Sequence, residues 1–180
     1  MISLLYLYIV KDRSLTMEDY LRRHGPSASP FTLAGQILPG LIVSCYDGDT
    51  LTIVLPVFGH CYRFTVRIDG IDTPEIKSKD PENKLRAIRA RNRLLQLAGV
   101  TIDLDAALTK KDVGELLNKA QPIVEVECKG FDKYGRLLST LRMGPTCPSF
   151  GDVLIAEKLG YVYGGATKLT ETEQVDALDG

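Results

Sequence analysis

The sequence has few residues that bind soft metals, and they are scattered. It contains two histidines, His24 and His60, far apart along the chain, and four cysteines, none of them in a C-x-x-C arrangement. A zinc centre is therefore not expected. The even number of cysteines leaves disulfides open. Free, mostly buried thiols in a reducing compartment are the state that we expect.

Long apolar runs and a strong charge of either sign are also missing. The apolar run at 2–10 is too short for a bilayer, which takes about 20 residues. It lacks the basic segment and the cleavage site of a secretory signal, so we expect an intracellular protein without a membrane segment. The formal net charge is -1. Any affinity for nucleic acid must therefore come from a local patch.

The chain is long enough for one domain with a sizeable core. We predict an N-terminal extension or linker over 1–36, a folded domain over 37–168 and an acidic, disordered tail over 169–180. Residues 2–10 could be a strand or a short helix, and a second short helix begins at Thr16. Residues 100–121 have the character of an insertion.

Hydrophobic periodicity places the elements of the domain. Three predicted strands are followed by a helix, two more strands and a last helix, which is an α+β layout compatible with a small five-stranded barrel. The strand count alone does not choose this barrel over other α+β sheets. The predicted strands are 38–46, 50–56, 62–69, 123–129 and 136–142, and the helices are 82–98, one beginning at Thr109 and one beginning at Ser149.

The stretch from Arg67 to Glu75 carries the densest chemistry. Arg67 lies on the polar face of a predicted strand, and Pro74 favours an extended Thr73, which directs the Thr73 carbonyl. The corner also displays Asp72 and Glu75. Standing alone, such a stretch is more often a solvated acidic turn.

Two further stretches change that interpretation. Asp47-Gly48-Asp49-Thr50 lies in a predicted hairpin turn, where Gly48 is expected to supply a positive φ. Asp132-Lys133-Tyr134-Gly135-Arg136 lies in a second turn. Arg67 and Arg136 each carry a planar guanidinium group, which can donate two parallel hydrogen bonds to the oxygens of a phosphate.

If the fold brings these stretches together, their residue types suit phosphodiester hydrolysis. Asp49, Asp72 and the Thr73 carbonyl are hard oxygen donors of the kind that Ca²⁺ or Mg²⁺ prefers. The guanidinium groups of Arg67 and Arg136 would stabilise charge in the transition state. The Glu75 carboxylate would orient or deprotonate water.

In order and residue type, the three stretches resemble the motifs of the thermonuclease family, the staphylococcal-nuclease-like enzymes, from about residue 41 to about residue 163. The resemblance implies an OB-fold-type β-barrel with two or three flanking helices. It also implies Ca²⁺-dependent cleavage of single-stranded DNA and RNA. The roles it implies are metal ligands at Asp49, Asp72 and Thr73, an acid near the metal at Asp47, catalytic residues at Arg67, Glu75 and Arg136, and substrate contacts at Lys133, Tyr134 and Tyr163.

The sequence departs from that family in several places. The hairpin from Thr50 to Arg67 is longer than in the secreted bacterial enzymes, and residues 100–121 have no clear counterpart. Tyr161 and Tyr163 fit base stacking and core packing equally well. Arg86, Arg89 and Arg93 form a basic helical stripe that fits either a solvated face or a phosphate contact.

Two functions therefore remain open at this point. The first is a monomeric nuclease acting on single-stranded DNA or RNA. The alternative is an OB-type module that binds nucleic acid or protein without cutting, since one fold can carry many functions. A third interpretation, an acidic-surfaced interaction protein, explains the net charge but none of the three motifs.

Overall fold

The computed structural model describes residues 16–165 and 169–179. The chain divides into two compact units at Thr32 and Leu33. In the N-terminal unit, helix α1 spans Met17–His24, as the sequence predicts from Thr16. The Thr16 side chain accepts from the Asp19 backbone N–H, and the Asp19 side chain accepts in return. The strand or helix predicted at 2–10 lies outside the described residues.

The second unit is built on a closed five-stranded barrel. Its strands lie in the order β1-β2-β3-β6-β5, and only the β3–β6 pair is parallel. Two short strands, β4 and β7, form a separate antiparallel pair. The strands are β1 Ile37–Cys45, β2 Thr50–Val57, β3 His60–Ile68, β4 Ile71–Asp72, β5 Ile123–Phe131, β6 Leu137–Arg142 and β7 Tyr161–Val162.

The barrel confirms the predicted α+β fold with an OB-fold-type barrel. Alternation fills its interior: Leu51, Ile53 and Leu55 of β2 are almost completely buried, while the residues between them are partly exposed. Such inward-facing side chains remove a large apolar area from water, and this burial is the main stabilising contribution.

Four helices in the described residues flank the barrel. Asp80 caps α2, and Ser149 caps α4, each by accepting from a backbone N–H in the first turn. Thr109 and Asp112 form the predicted capping box at the start of α3. The helices are α2 Pro81–Leu97, α3 Lys110–Ala120, α4 Phe150–Ala156 and α5 Glu171–Asp179.

The predicted disordered tail is wrong for residues 171–179, which form α5. Thr170 and Glu173 exchange hydrogen bonds at its start, where the Thr170 backbone N–H and hydroxyl both donate to the Glu173 carboxylate at 2.8 Å. Gln174 and Leu178 are 5% and 3% exposed. Capping and burial therefore outweigh the acidic composition of this segment.

The second unit begins at Leu33, a little before the predicted boundary at residue 37. Leu33 is 1% exposed and belongs to the core. Its neighbours are tied to β5, because the Gly35 N–H donates to the Cys128 carbonyl and the Cys128 N–H donates to the Gln36 carbonyl. Strand periodicity predicts where β1 begins, but it does not predict these contacts of the residues before it.

All four cysteines are free thiols, as predicted, but only two of them are buried. Cys45 and Cys128 lie in the barrel wall, whereas Cys61 and Cys147 are exposed. Burial raises the pKa of the Cys45 thiol far above its ordinary value. None of the helices in the described ranges is long and apolar enough to cross a membrane.

Candidate active site

The turn between β1 and β2 carries the first two acidic residues. The Thr50 N–H donates to the Asp47 carboxylate at 3.0 Å, which closes the turn. Gly48 does not have the positive φ that we predicted. A Cβ at Gly48 would lie 2.6 Å from the Ala90 Cβ and 2.9 Å from the Thr73 Cγ2. Glycine is needed here because the turn approaches helix α2 closely.

Arg67 joins two carboxylates from separate segments, Asp49 of the β1–β2 turn and Asp72 of strand β4. Its Nη1 lies 2.8 Å from Asp49 Oδ1, and its Nη2 lies 2.7 Å from Asp72 Oδ1. Asp49 is 2% exposed and Asp72 is 1% exposed. The fold thus places three of the predicted site residues in direct contact.

Further groups donate hydrogen bonds to these two carboxylates. Asp49 accepts from the Thr50 hydroxyl at 2.7 Å and from the Thr73 N–H at 3.2 Å. Asp72 accepts from the Tyr161 hydroxyl at 2.5 Å. Each carboxylate is therefore oriented by Arg67 and by at least one further hydrogen-bond donor.

Tyr161 is the clearest functional residue that the sequence reasoning did not assign. It is 6% exposed and lies on β7, directly opposite Asp72 in the two-stranded pair. Burial and the hydrogen bond to Asp72 raise the pKa of this phenol. The Tyr161 ring is therefore core, and its hydroxyl holds a site carboxylate. The sequence contains no signal for a pairing between residues so far apart.

The cluster contains more carboxyl groups than guanidinium groups. Burial, followed by the nearby charge of Asp47, raises the pKa of Asp49 to about 8. Burial also raises the pKa of Asp47, and the charge of Glu75 adds to this effect. Burial lowers the pKa of Arg67, but the charges of Asp49 and Asp72 outweigh it, and the net shift is upward. In the metal-free protein, the neutral form of Asp49 is therefore favoured below about pH 8.

The donor set fits a hard divalent cation. Asp49 and Asp72 provide carboxylate oxygens, and a cation beside them would favour their ionised forms. Thr73 is 1% exposed, and its buried Oγ1 has no hydrogen-bond partner in the described part of the chain. No group of three or more His, Cys, Asp or Glu side chains suited to a metal is found in residues 16–165 and 169–179. A cation would therefore need a backbone carbonyl and waters besides the two carboxylates.

Both predicted arginines line one cavity of about 610 Å³. Arg67 enters it from β3, and Arg136 enters it from the turn before β6. Arg136 is oriented by Asp132, which accepts from Arg136 Nε at 2.7 Å and from the Arg136 N–H at 2.9 Å. Hydrogen bonds from Arg136 outweigh burial and lower the pKa of Asp132.

The predicted substrate-binding residues line the same cavity. Tyr134 is 72% exposed, and its ring centroid lies 5.1 Å from Lys133 Nζ and 5.4 Å from Arg136 Cζ. The Tyr163 ring lies 5.7 Å from Arg67 Cζ. Tyr163 is thus the tyrosine of this pair that faces the cavity, whereas Tyr161 is buried.

Glu75 is exposed but lines a different cavity, of about 400 Å³. Lys77 and Asn83 contribute to the lining of this cavity, and Thr170 and Gln174 close it from the other side. Glu75 is not among the described residues that line the cavity of Arg67 and Arg136. The structure therefore brings seven of the predicted residues together: five line the arginine cavity, and Asp49 and Asp72 are ion-paired with Arg67. The charge of Glu75 reaches this cluster by raising the pKa of Asp47.

The basic stripe of α2 is occupied by ion pairs. Arg86 lies 2.7 Å from Glu82, Arg89 lies 2.5 Å from Asp105, and Arg93 lies 2.7 Å from Glu157. The last two carboxylates come from segments distant in sequence. These contacts favour the interpretation of the stripe as a solvated helix face whose charge is neutralised by carboxylates of the chain. They do not favour its interpretation as a phosphate-binding surface.

No protein-family model matches the chain, and no significant match to a curated protein was found. The resemblance to thermonucleases therefore rests on the three sequence motifs alone.

Proposed function

We propose that the protein is a metal-dependent nuclease that hydrolyses phosphodiester bonds of single-stranded DNA or RNA. The observation that carries the proposal is the contact of Arg67 with two buried carboxylates, Asp49 and Asp72, at the cavity that also contains Arg136. A cation held by these carboxylates would lie beside a phosphate held by the arginines.

The metal would be Ca²⁺, with Mg²⁺ as the other hard cation that these ligands suit. Asp49, Asp72 and the Thr73 carbonyl would hold it, and Asp47 would support it from the turn that also carries Asp49. When bound, a divalent cation polarises a phosphoryl oxygen and lowers the cost of the developing charge.

The arginines supply the remaining charge stabilisation. Arg67 and Arg136 both line the cavity. Their guanidinium groups would contact oxygens of the phosphate bound there. Lys133 and Tyr134 would hold a neighbouring phosphate, and Tyr163 would stack on a base. Glu75 would take the proton of the attacking water.

The first test is the variant Glu75→Gln, which keeps the shape of the side chain and removes its basicity. We expect cleavage of single-stranded DNA to fall by about 10²–10⁴-fold, since that is the usual contribution of a general base. Binding of the same DNA in chelator should stay unchanged. Glu82→Gln, at an exposed position on α2, is the matched control. Wild-type cleavage by Glu75→Gln removes Glu75 from the mechanism.

Arg136→Lys tests the phosphate fork. One ammonium cannot replace the two parallel N–H groups of a guanidinium. We expect a loss of about 10²–10³ in cleavage rate. Arg142→Lys, a partly exposed arginine paired with Glu127, should cleave normally. Equal rates for the two variants would exclude a phosphate contact by Arg136.

A non-catalytic OB-type binding module is the second candidate. The observation that favours it is the position of Glu75 in a cavity separate from that of Arg136. Assays with Ca²⁺, with Mg²⁺ and with excess chelator separate the two functions. Oligonucleotide binding without cleavage under every condition would support the module.

A further inference from the structure

The arginine cavity also contains a carboxylate that the proposed mechanism does not use. Asp69 lines this cavity together with Arg67 and Arg136. The other carboxylate in the described lining, that of Asp132, is bound by Arg136 Nε at 2.7 Å. The Asp69 carboxylate, by contrast, makes no hydrogen bond or ion pair with any residue that the structure describes. Its two oxygens are therefore open to a ligand in the cavity.

The end of β3 places this carboxylate beside the guanidinium group of Arg67. The Asp69 N–H donates to the Ser139 carbonyl at 3.0 Å, so residue 69 continues the pairing of β3 with β6. Side chains alternate along a strand, and Asp69 therefore lies on the same face as Arg67, with the two Cα atoms about 7 Å apart. A nucleotide whose phosphate contacts Arg67 can thus place a second group at Asp69.

The surroundings of this carboxylate suit a flat, apolar ring. The Tyr163 N–H donates to the Gly70 carbonyl at 2.9 Å, which fixes Tyr163 beside the turn that follows β3. The Tyr163 ring lies 5.7 Å from Arg67 Cζ, and Leu138, the β6 partner of Arg67, adds a half-buried apolar side chain. A Cβ at Gly70 would meet nothing within 4 Å, so there is open space in front of this turn. These are the surroundings that a nucleobase requires.

A carboxylate in a cavity for phosphate weakens binding unless it meets hydrogen-bond donors, because it only accepts when ionised. In single-stranded nucleic acid, the base edges that carry such donors are exposed. Guanine presents two adjacent donors, N1–H and N2–H, which match the two oxygens of a carboxylate. Adenine and cytosine present one amino group beside an acceptor nitrogen, and thymine presents one N–H between two carbonyls. The carboxylate therefore favours guanine.

We propose that Asp69 determines the base specificity of the arginine cavity and selects guanine. Its carboxylate accepts from N1–H and N2–H of a guanine that stacks on Tyr163, while Arg67 and Arg136 hold a phosphate of the same nucleotide. The inference rests on the proposed function for its substrate class, single-stranded nucleic acid. It does not depend on cleavage, since Asp69 contacts the base and not the reacting atoms.

The first measurement compares dT oligonucleotides of about seven nucleotides in which the central base is thymine, guanine, adenine or cytosine. Fluorescence anisotropy in excess chelator measures binding without cleavage. We expect the guanine oligonucleotide to bind about tenfold more tightly than the other three, as for other bidentate base contacts. Hypoxanthine at the same place lacks the N2 amino group and should lose part of this advantage. The analogue 7-deazaguanine keeps both donors and should retain it.

The variant Asp69→Asn keeps the size of the side chain and replaces one acceptor oxygen by a donor. The guanine advantage should disappear. The affinity for the all-thymine oligonucleotide should rise about threefold, because a negative charge roughly 7 Å from the phosphate is removed. A loss of folding would weaken binding of all oligonucleotides instead. Asp152→Asn, at an exposed position on α4 outside the cavity, is the matched charge control and should keep the guanine advantage.

The positions of cleavage give a second readout. End-labelled single-stranded DNA of mixed sequence is digested in Ca²⁺, and the products are separated by length. Wild-type cuts should concentrate at bonds next to guanines, whereas the cuts by Asp69→Asn should be distributed over all four bases.

The outcomes separate this inference from the proposed function. Cleavage with equal binding of the four oligonucleotides overturns the inference alone. A guanine preference that Asp69→Asn abolishes, without cleavage in any metal, overturns the nuclease and supports the inference. If Asp69→Asn binds all four oligonucleotides more tightly and keeps the guanine preference, Asp69 is a solvated turn residue and the inference is wrong. A preference for RNA over DNA that the variant abolishes, without a change in base preference, assigns the carboxylate to the 2′-hydroxyl and also overturns it.

Discussion

The position of Asp72 on β4 is fixed by contacts with two other strands. Its carboxylate is bound by Arg67 from β3 and by Tyr161 from β7, and its own backbone forms part of β4. A buried carboxylate with two charge-assisted or short hydrogen bonds is fixed in orientation. Any cation bound beside Asp72 therefore meets an oxygen whose position is already determined.

Tyr161→Phe tests this positioning. The variant keeps the buried ring and removes only the hydroxyl that donates to Asp72. We expect Ca²⁺ affinity to fall about 10–100-fold, as for other groups that orient a metal ligand. Isothermal titration calorimetry with Ca²⁺ measures the change. Tyr134→Phe, at an exposed tyrosine, is the control for loss of a phenol. Unchanged Ca²⁺ affinity in Tyr161→Phe would falsify this role.

At the scale of elements, helix α2 is a support for the segment that follows it. Asn92 is fully buried, and its Nδ2 donates to the carbonyls of Asp103, Leu104 and Ala106 at 3.2, 2.9 and 3.0 Å. Arg91 donates to the Leu108 carbonyl. The predicted insertion is therefore bonded to the core, and α3 buries Val113 and Leu117 against it.

Asn92→Ala should destabilise the protein strongly. The change leaves buried carbonyls without a donor, and each lost group costs about 1–3 kcal/mol. We expect the free energy of unfolding to fall by about 3 kcal/mol in urea titrations. Arg89→Ala, which removes an exposed ion pair on the same helix, should change it little. Similar stabilities for the two variants would show that the loop does not depend on Asn92.

At the scale of the whole molecule, the buried carboxylates link stability to pH. The pKa of Asp49 is raised from an ordinary value near 3.8 to about 8 in the folded protein. The folded state therefore binds more protons than the unfolded state between these values. Stability contributed by Asp49 is complete below about pH 4 and is lost as the pH rises through about 8.

The prediction concerns the metal-free protein. In chelator, we expect the free energy of unfolding to decrease from pH 5 to pH 8, and the slope should be smaller in Asp49→Asn, which cannot ionise. Ca²⁺ should stabilise wild type more at pH 8 than at pH 5, because protons compete for the same oxygens. Urea unfolding with and without Ca²⁺ measures both effects. An identical slope in Asp49→Asn would assign the pH dependence to other groups.

Local patterns determined much of the architecture. Alternation located the five barrel strands, and the Thr109–Asp112 and Ser149 caps marked the starts of α3 and α4. These features depend on interactions within a few residues, so periodicity and capping chemistry predict them. The sequence also predicted the residue types of the candidate site, because few kinds of chemistry use both hard oxygen donors and guanidinium groups.

Only the tertiary structure decided which groups meet. The joint contact of Asp49 and Asp72 with Arg67, the hydrogen bond from Tyr161, and the ion pairs of Arg89 and Arg93 all join segments distant in sequence. The same is true of Gly48, whose absent side chain makes room for α2, and of Gln174, the α5 residue that lines the Glu75 cavity. Such contacts depend on how the barrel closes and how the helices pack on it, which local sequence patterns do not encode.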